Sequence, residues 1–176
     1  MLQKILLVLF TSLLSVPPTD DNLIDWSTSR KLSWTDFKSK PDAGSSDAAL
    51  TSSTINVEFG YDKNGLKHSI TCRFNKLKSW ARLKNDYILN HEQGHFDLAE
   101  GYARELHKEL QEYTFNKQTV NDDLNKIYNR VMQKHIEEQD LYDRQTDHSL
   151  DTARQSVWNG KIKSMLAELE TFKEYK

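Results

Sequence analysis

The chain has 176 residues, 37% of them hydrophobic and 28% charged, with a formal net charge of −2. That is enough for one domain with a buried core, and too little positive charge for a nucleic-acid-binding surface. The single cysteine, Cys72, excludes an intramolecular disulfide and a cysteine-built metal site, and its expected place is a buried position in a strand.

Residues 1–16 place Lys4 ahead of an apolar run from Ile5 to Leu14. The run is short for a membrane span and suits a secretory signal peptide, so a secreted or periplasmic protein without a stable membrane anchor after cleavage is expected. Residues 17–50, rich in Pro, Ser, Asp and Thr, read as an N-terminal extended segment. From Thr51 the pattern changes. Ile55, Val57, Phe59 and Tyr61 alternate with polar residues, and after an Asn64-Gly65 turn Leu66, His68, Ile70, Cys72 and Phe74 do the same. Two alternating runs joined by Asn-Gly predict a β-hairpin, which needs a partner to pack on.

Three helices are expected to follow. Asn85 caps the first, whose apolar residues from Ile88 to Leu110 recur at helical spacing. Gly94 and Gly101 each cost this helix about 1 kcal/mol relative to Ala, which suggests close approach of another backbone. The second starts near Thr119 and carries the stripe Leu124, Ile127, Val131, His135, Glu138, Tyr142. The third is marked by Leu150, Ala153, Val157, Ile162, Met165, Leu166, Leu169 and Phe172. The fold class predicted is α+β: an N-terminal β-hairpin or sheet packed on three long helices.

The chemistry lies in His91-Glu92-Gln93-Gly94-His95, an H-E-x-x-H sequence near the start of the first helix. Residues four apart share a helix face. Both imidazoles can therefore hold one metal ion, and Glu92 is one step round, where a general base for a metal-activated water would sit. Antiparallel packing of the first two helices brings residue 93 level with about residue 140. There the second helix's stripe turns polar, which apolar packing does not explain. Zn²⁺ needs a third protein ligand. A metzincin continuation requires glycine at 98 and histidine at 101, and Leu98 and Gly101 exclude it. Glu138 on the second helix and His148 in the loop beyond it are the candidates.

The chain resembles the bacterial DUF922 family, described as predicted secreted zinc-dependent proteases. The matching residues are Leu32-Ser33-Trp34-Thr35-Asp36-Phe37, His91 to Asp97, and Tyr142 to His148 followed by Gln155 and Trp158. The resemblance implies a zincin-like metalloprotease domain over residues 51–176, with His148 as third ligand ahead of Glu138 and Asp143. The family pattern has His-Gly where this chain has His148-Ser149. The activity expected is that of a zinc metallopeptidase acting on a peptide or protein substrate. His91, His95 and His148 would be its ligands, Glu92 the base and Tyr142 a donor to the oxyanion. The alternatives are a non-catalytic binding or structural module on the same scaffold, and a zinc hydrolase of a non-peptide amide.

Overall fold

The computed structural model describes residues 21–62 and 65–175; the expected signal peptide lies outside them. The architecture is mixed α/β, with a small antiparallel sheet and three helices. The strands are β1 (Leu23–Asp25), β2 (Ala49–Leu50), β3 (Ser53–Asp62), β4 (Gly65–Asn75) and β5 (Trp80–Ala81), and the helices are α1 (Asp86–Glu112), α2 (Val120–Thr146) and α3 (Thr152–Glu168). Among the described residues no helix is long and apolar enough to cross a membrane.

The predicted hairpin is β3–β4, paired from Ser53↔Phe74 to Asp62↔Gly65. Gly65, at φ 108°, adopts the left-handed backbone that glycine tolerates without strain. The period-2 reading holds best at the base of the hairpin, where Ile70, Cys72 and Phe74 are wholly buried. Phe59 and Tyr61, expected inward, stay substantially exposed toward the turn of the hairpin, where Tyr61 meets the Phe115 ring. The 21–50 segment belongs to the same body. β1 pairs with β4, and Ile24, Leu32 and Phe37 join α1 and the hairpin in one core. Asp36 secures the 3₁₀ turn at Trp34–Asp36 by accepting from the Ser33 backbone N–H at 2.9 Å and from Arg30 at 2.8 Å.

α1 is the central element. Asn85 caps it by accepting from the Ile88 N–H at 2.8 Å, which satisfies one of the donors a helix start leaves free. One face of α1 packs on the sheet through Phe96, Ala99, Ala103 and Leu106, and the core continues onto Leu124 and Val131 of α2. α3 corrects the sequence reading. Leu150 and Val157, expected inward, are exposed, and the helix instead buries Gln155, Trp158 and Ile162. Its apolar residues are spread round the circumference, so periodicity placed Ile162, Met165, Leu166 and Leu169 correctly and Leu150 and Val157 wrongly. Gly101 does mark a close approach, but to the Met165 side chain of α3, which would lie 2.6–3.2 Å from an added Cβ, and not to a backbone.

Ile70 is wholly buried between the sheet and α1. Ile70→Ala is expected to cost about 2–5 kcal/mol, while Phe59→Ser at the exposed end of the hairpin should stay within about 0.5 kcal/mol. Denaturant midpoints of the two variants check this.

Candidate metal centre

α1 and α2 run antiparallel in the register expected, so the first turns of α1 meet the last turns of α2. His91, His95 and Asp143 converge there. The two Nε2 atoms are 3.1 Å apart, and Asp143 Oδ1 lies 3.1 Å from His91 Nε2 and 3.0 Å from His95 Nε2. Among the described residues these three form the group whose donor atoms could share a metal ion.

Hydrogen bonds set the tautomer of each ring. Gln139 Nε2 donates to the His95 carbonyl at 2.9 Å, which can only accept. The amide oxygen of Gln139 therefore faces His95 Nδ1 at 2.6 Å, and that nitrogen carries the proton. Tyr142 donates its hydroxyl to the His91 carbonyl at 3.1 Å and accepts from Gln155 Nε2 at 2.6 Å. That turns Gln155 Oε1 toward His91 Nδ1, 2.9 Å away, so this nitrogen is also protonated. In the neutral rings both Nε2 lone pairs then point at each other and at a carboxylate. Three such atoms at this spacing need positive charge among them, which a proton on an imidazole supplies and a metal ion would supply in its place. Donors bound tetrahedrally to zinc lie about 3.3 Å apart, close to the separations here, so the donor set fits the ion. Histidines whose other nitrogen is fixed by an outer partner are the usual form of such ligands.

The charges follow from this arrangement. Burial opposes ionisation of Asp143, but the hydrogen bonds from both histidines outweigh it and hold the carboxyl well below its usual range. Burial likewise disfavours charge on His95, yet Asp143 and then Glu92 lift its pKa above the ordinary value. Burial pushes the Glu92 carboxyl up, against the opposing pull of His95, Thr51 and His91. Glu92 is 3% exposed, and among the described residues its Oε2 has no hydrogen-bond partner.

These residues form the floor of a cleft of about 410 Å³ whose far wall is the strand segment 47–53. Along that segment Ala48 accepts from the Arg82 N–H and Ser52 accepts from the Asn75 N–H. The backbone groups of Ala49, Thr51 and Ser53 therefore face the other way, along an edge on which no strand pairs among the described residues. Thr51 Oγ1 ties this edge to α1 by donating to the Glu92 carbonyl at 3.2 Å.

The candidate residues fall out as follows. His91, Glu92 and His95 come together, and the acidic partner beside them is Asp143, the last of the three third-ligand candidates. His148 lies at the mouth of the cleft, its Nδ1 4.0 Å from Asp143 Oδ1 and 3.8 Å from Asp47 Oδ1. Glu138 is not among the cleft-lining residues; it lies toward Tyr102, whose hydroxyl burial and then Glu138 push up to about 12. Tyr142 is wholly buried behind the site, stacked on His91 with centroids 4.6 Å apart. With its hydroxyl engaged by Gln155 and the His91 carbonyl, it positions His91 and does not face the cleft. Sequence reasoning missed Gln139 and passed over Gln155 as a ring partner. The available signal was the spacing His135, Gln139, Asp143, a file of residues four apart that lies one step round α2 from the stripe chosen.

A mixed α/β protein with an H-E-x-x-H helix and an added aspartate is the class that fold and site define. The chain belongs to the family described as bacterial protein of unknown function (DUF922), whose model matches residues 13–149. No curated protein and no solved structure matches it.

Two local features carry predictions. An added Cβ on Gly94 would collide with the Tyr142 ring, 2.8 Å from Cζ. Gly94→Ala gains about 1 kcal/mol of helix propensity, but overpacking against a wholly buried ring costs about 1–3 kcal/mol. Net destabilisation is expected, whereas Gly101→Ala, which meets a flexible methionine, should be near neutral; thermal melts compare them. Asp147, His148 and Ser149 are consecutive non-glycine residues at φ 49°, 48° and 78°, each costing about 1 kcal/mol or more. Glycine adopts the conformation of Ser149 without that cost, and Ser149→Gly is expected to raise the melting temperature.

A third prediction concerns pH. His135 also lines the cleft, and burial followed by the nearby His95 pushes its pKa down to about 4. A histidine in the unfolded chain titrates near 6.5, so the unfolded state takes up this proton first. Stability from this group is therefore lost as pH falls from about 6.5 to about 4 and no further below. In chelator-treated protein, His135→Gln should flatten the decline of melting temperature over that window; equal slopes for both proteins would contradict this.

Proposed function

We propose that this protein is an exported, zincin-like zinc metallopeptidase, with His91, His95 and Asp143 as metal ligands and Glu92 as general base. The observation that carries the reading is the state of Glu92. A carboxyl oxygen buried without a hydrogen-bond partner costs about 1–3 kcal/mol or more, and a binding scaffold has no use for it. Beside two imidazoles and a carboxylate whose lone pairs converge, it has the position of a base awaiting a water molecule. The upward shift of its pKa by burial is the direction a base working near neutral pH needs.

When bound, Zn²⁺ would supply Lewis acidity, lowering the pKa of a water toward about 7 and polarising a carbonyl oxygen. Glu92 takes one proton from the attacking water as its oxygen bonds to the carbonyl carbon and the C=O π pair moves onto the carbonyl oxygen. When the C–N bond breaks, its electron pair stays on nitrogen, and Glu92 returns the proton to the leaving amine. Gln139 and Gln155 keep the Nδ1 protons in place, so His95 and His91 present Nε2 to the ion. The unpaired edge at Ala49, Thr51 and Ser53 suits an extended peptide added as a further strand, which favours a peptide over other amides. The leader-like residues 1–16 support export.

Glu92→Gln should bind zinc like the wild type and lose about 10²–10⁴-fold in turnover of fluorescein-labelled casein. Asp143→Ala should lose zinc affinity and the thermal stabilisation that zinc confers. Wild-type protein that takes up no zinc would refute the reading, and so would Glu92→Gln cleaving at the wild-type rate.

A further inference from the structure

We propose that His148 is a catalytic residue that faces the substrate, donating a ring N–H to the carbonyl oxygen of the bond under attack; this rests on the metallopeptidase reading above. His148 stands outside the donor triangle. It is absent from the group that could share a metal ion, and its Nδ1 is 4.0 Å from Asp143 Oδ1, beyond hydrogen-bond reach, so its N–H is not committed to that carboxylate. It nevertheless lines the same cleft as Glu92, His91 and His95. Asp47, on the opposite wall, lies 3.8 Å from Nδ1, so the imidazole bridges the mouth between the two walls.

The backbone gives the independent support. Helices often end on one left-handed residue, and Asp147 fills that role in α2, its N–H donating to the Asp143 carbonyl. His148 and Ser149 continue in the left-handed region. This turn is held by the His148 N–H donating to the Asp143 carbonyl at 2.9 Å and the Asp151 N–H donating to the Thr146 carbonyl at 2.8 Å, with Ser149 buried beneath. Connecting α2 to α3 does not require the two extra strained residues. Their effect is to hold His148 at the cleft, attached through its own backbone to the ligand Asp143. Strain of this kind persists where the surrounding structure enforces it, characteristically at functional sites. A donor fixed where negative charge develops on a carbonyl oxygen acts on the transition state more than on the bound substrate. The substitution should therefore reach kcat before KM.

The experiment compares wild type, His148→Ala, His148→Gln and Asp143→Ala for Zn²⁺ affinity by chelator competition, for melting temperature, and for kcat and KM on fluorescein-labelled casein. His148 is largely exposed, so its variants should fold as wild type does. His148→Ala is expected to keep zinc affinity within about threefold and to lose about 10²–10³-fold in kcat with little change in KM. His148→Gln, which retains an N–H, should recover part of the loss. Loss of zinc in His148→Ala would make it a ligand and overturn the proposal. Unchanged kcat, or a change in KM alone, would overturn it as well. Failure of the wider reading looks different: wild type would bind zinc without cleaving casein, or Asp143→Ala would keep its zinc.

Discussion

Two imidazole nitrogens and a carboxylate oxygen, mutually 3.0–3.1 Å apart in a largely buried position, repel one another unless positive charge, a proton or a metal ion, lies among them. Each histidine donates its Nδ1 proton to a glutamine oxygen, and each glutamine is locked in that orientation by a bond to a backbone carbonyl or to a hydroxyl anchored on one. The first and last turns of two helices are thereby committed to one ionic centre.

The packing around the centre follows from this commitment. Tyr142 must lie flat on His91 to hold both its carbonyl and Gln155, and only a glycine at 94 leaves room for the ring. Trp158 of α3 closes the same cluster from behind, edge-on to Tyr142. At the other end of the α1–α2 pair the requirement is apolar, and Leu106, Leu110, Leu124 and Val131 meet it. The sheet holds Phe96 and Ala99 from the side and brings segment 47–53 over the cleft as its second wall. A single polar site thus divides α1 into a polar start that faces α2's last turns and an apolar remainder.

Much of this arrangement was legible in the residues. Period-2 alternation located β3 and β4, Asn85 located the start of α1, and the short link near residue 116 set the antiparallel register that brings residue 93 level with about residue 140. His91, Glu92 and His95 were identified by spacing alone. Asp143 ranked only last of three candidates, because the reading followed the stripe His135, Glu138, Tyr142, whereas the residues that face His91 and His95 are Gln139 and Asp143. A 27-residue helix offers both stripes, and only the rotation of α2 against α1, a tertiary property, selects one. His148 was read by resemblance as a ligand, but its place at the cleft mouth depends on three left-handed residues that no composition rule foresees. Phe59, Tyr61, Leu150 and Val157 misled for a simpler reason: apolar spacing gives a face without saying how far the neighbouring element extends to cover it.

The central claim is that this one centre binds zinc through His91, His95 and Asp143. Anomalous scattering at the zinc edge, measured from crystals of the protein grown with Zn²⁺, tests it most directly. The account predicts a single strong peak within about 2.0–2.2 Å of both Nε2 atoms and an Asp143 carboxylate oxygen, with His148 outside bonding distance. No peak at this position, or an ion held by His148 in place of Asp143, would contradict it.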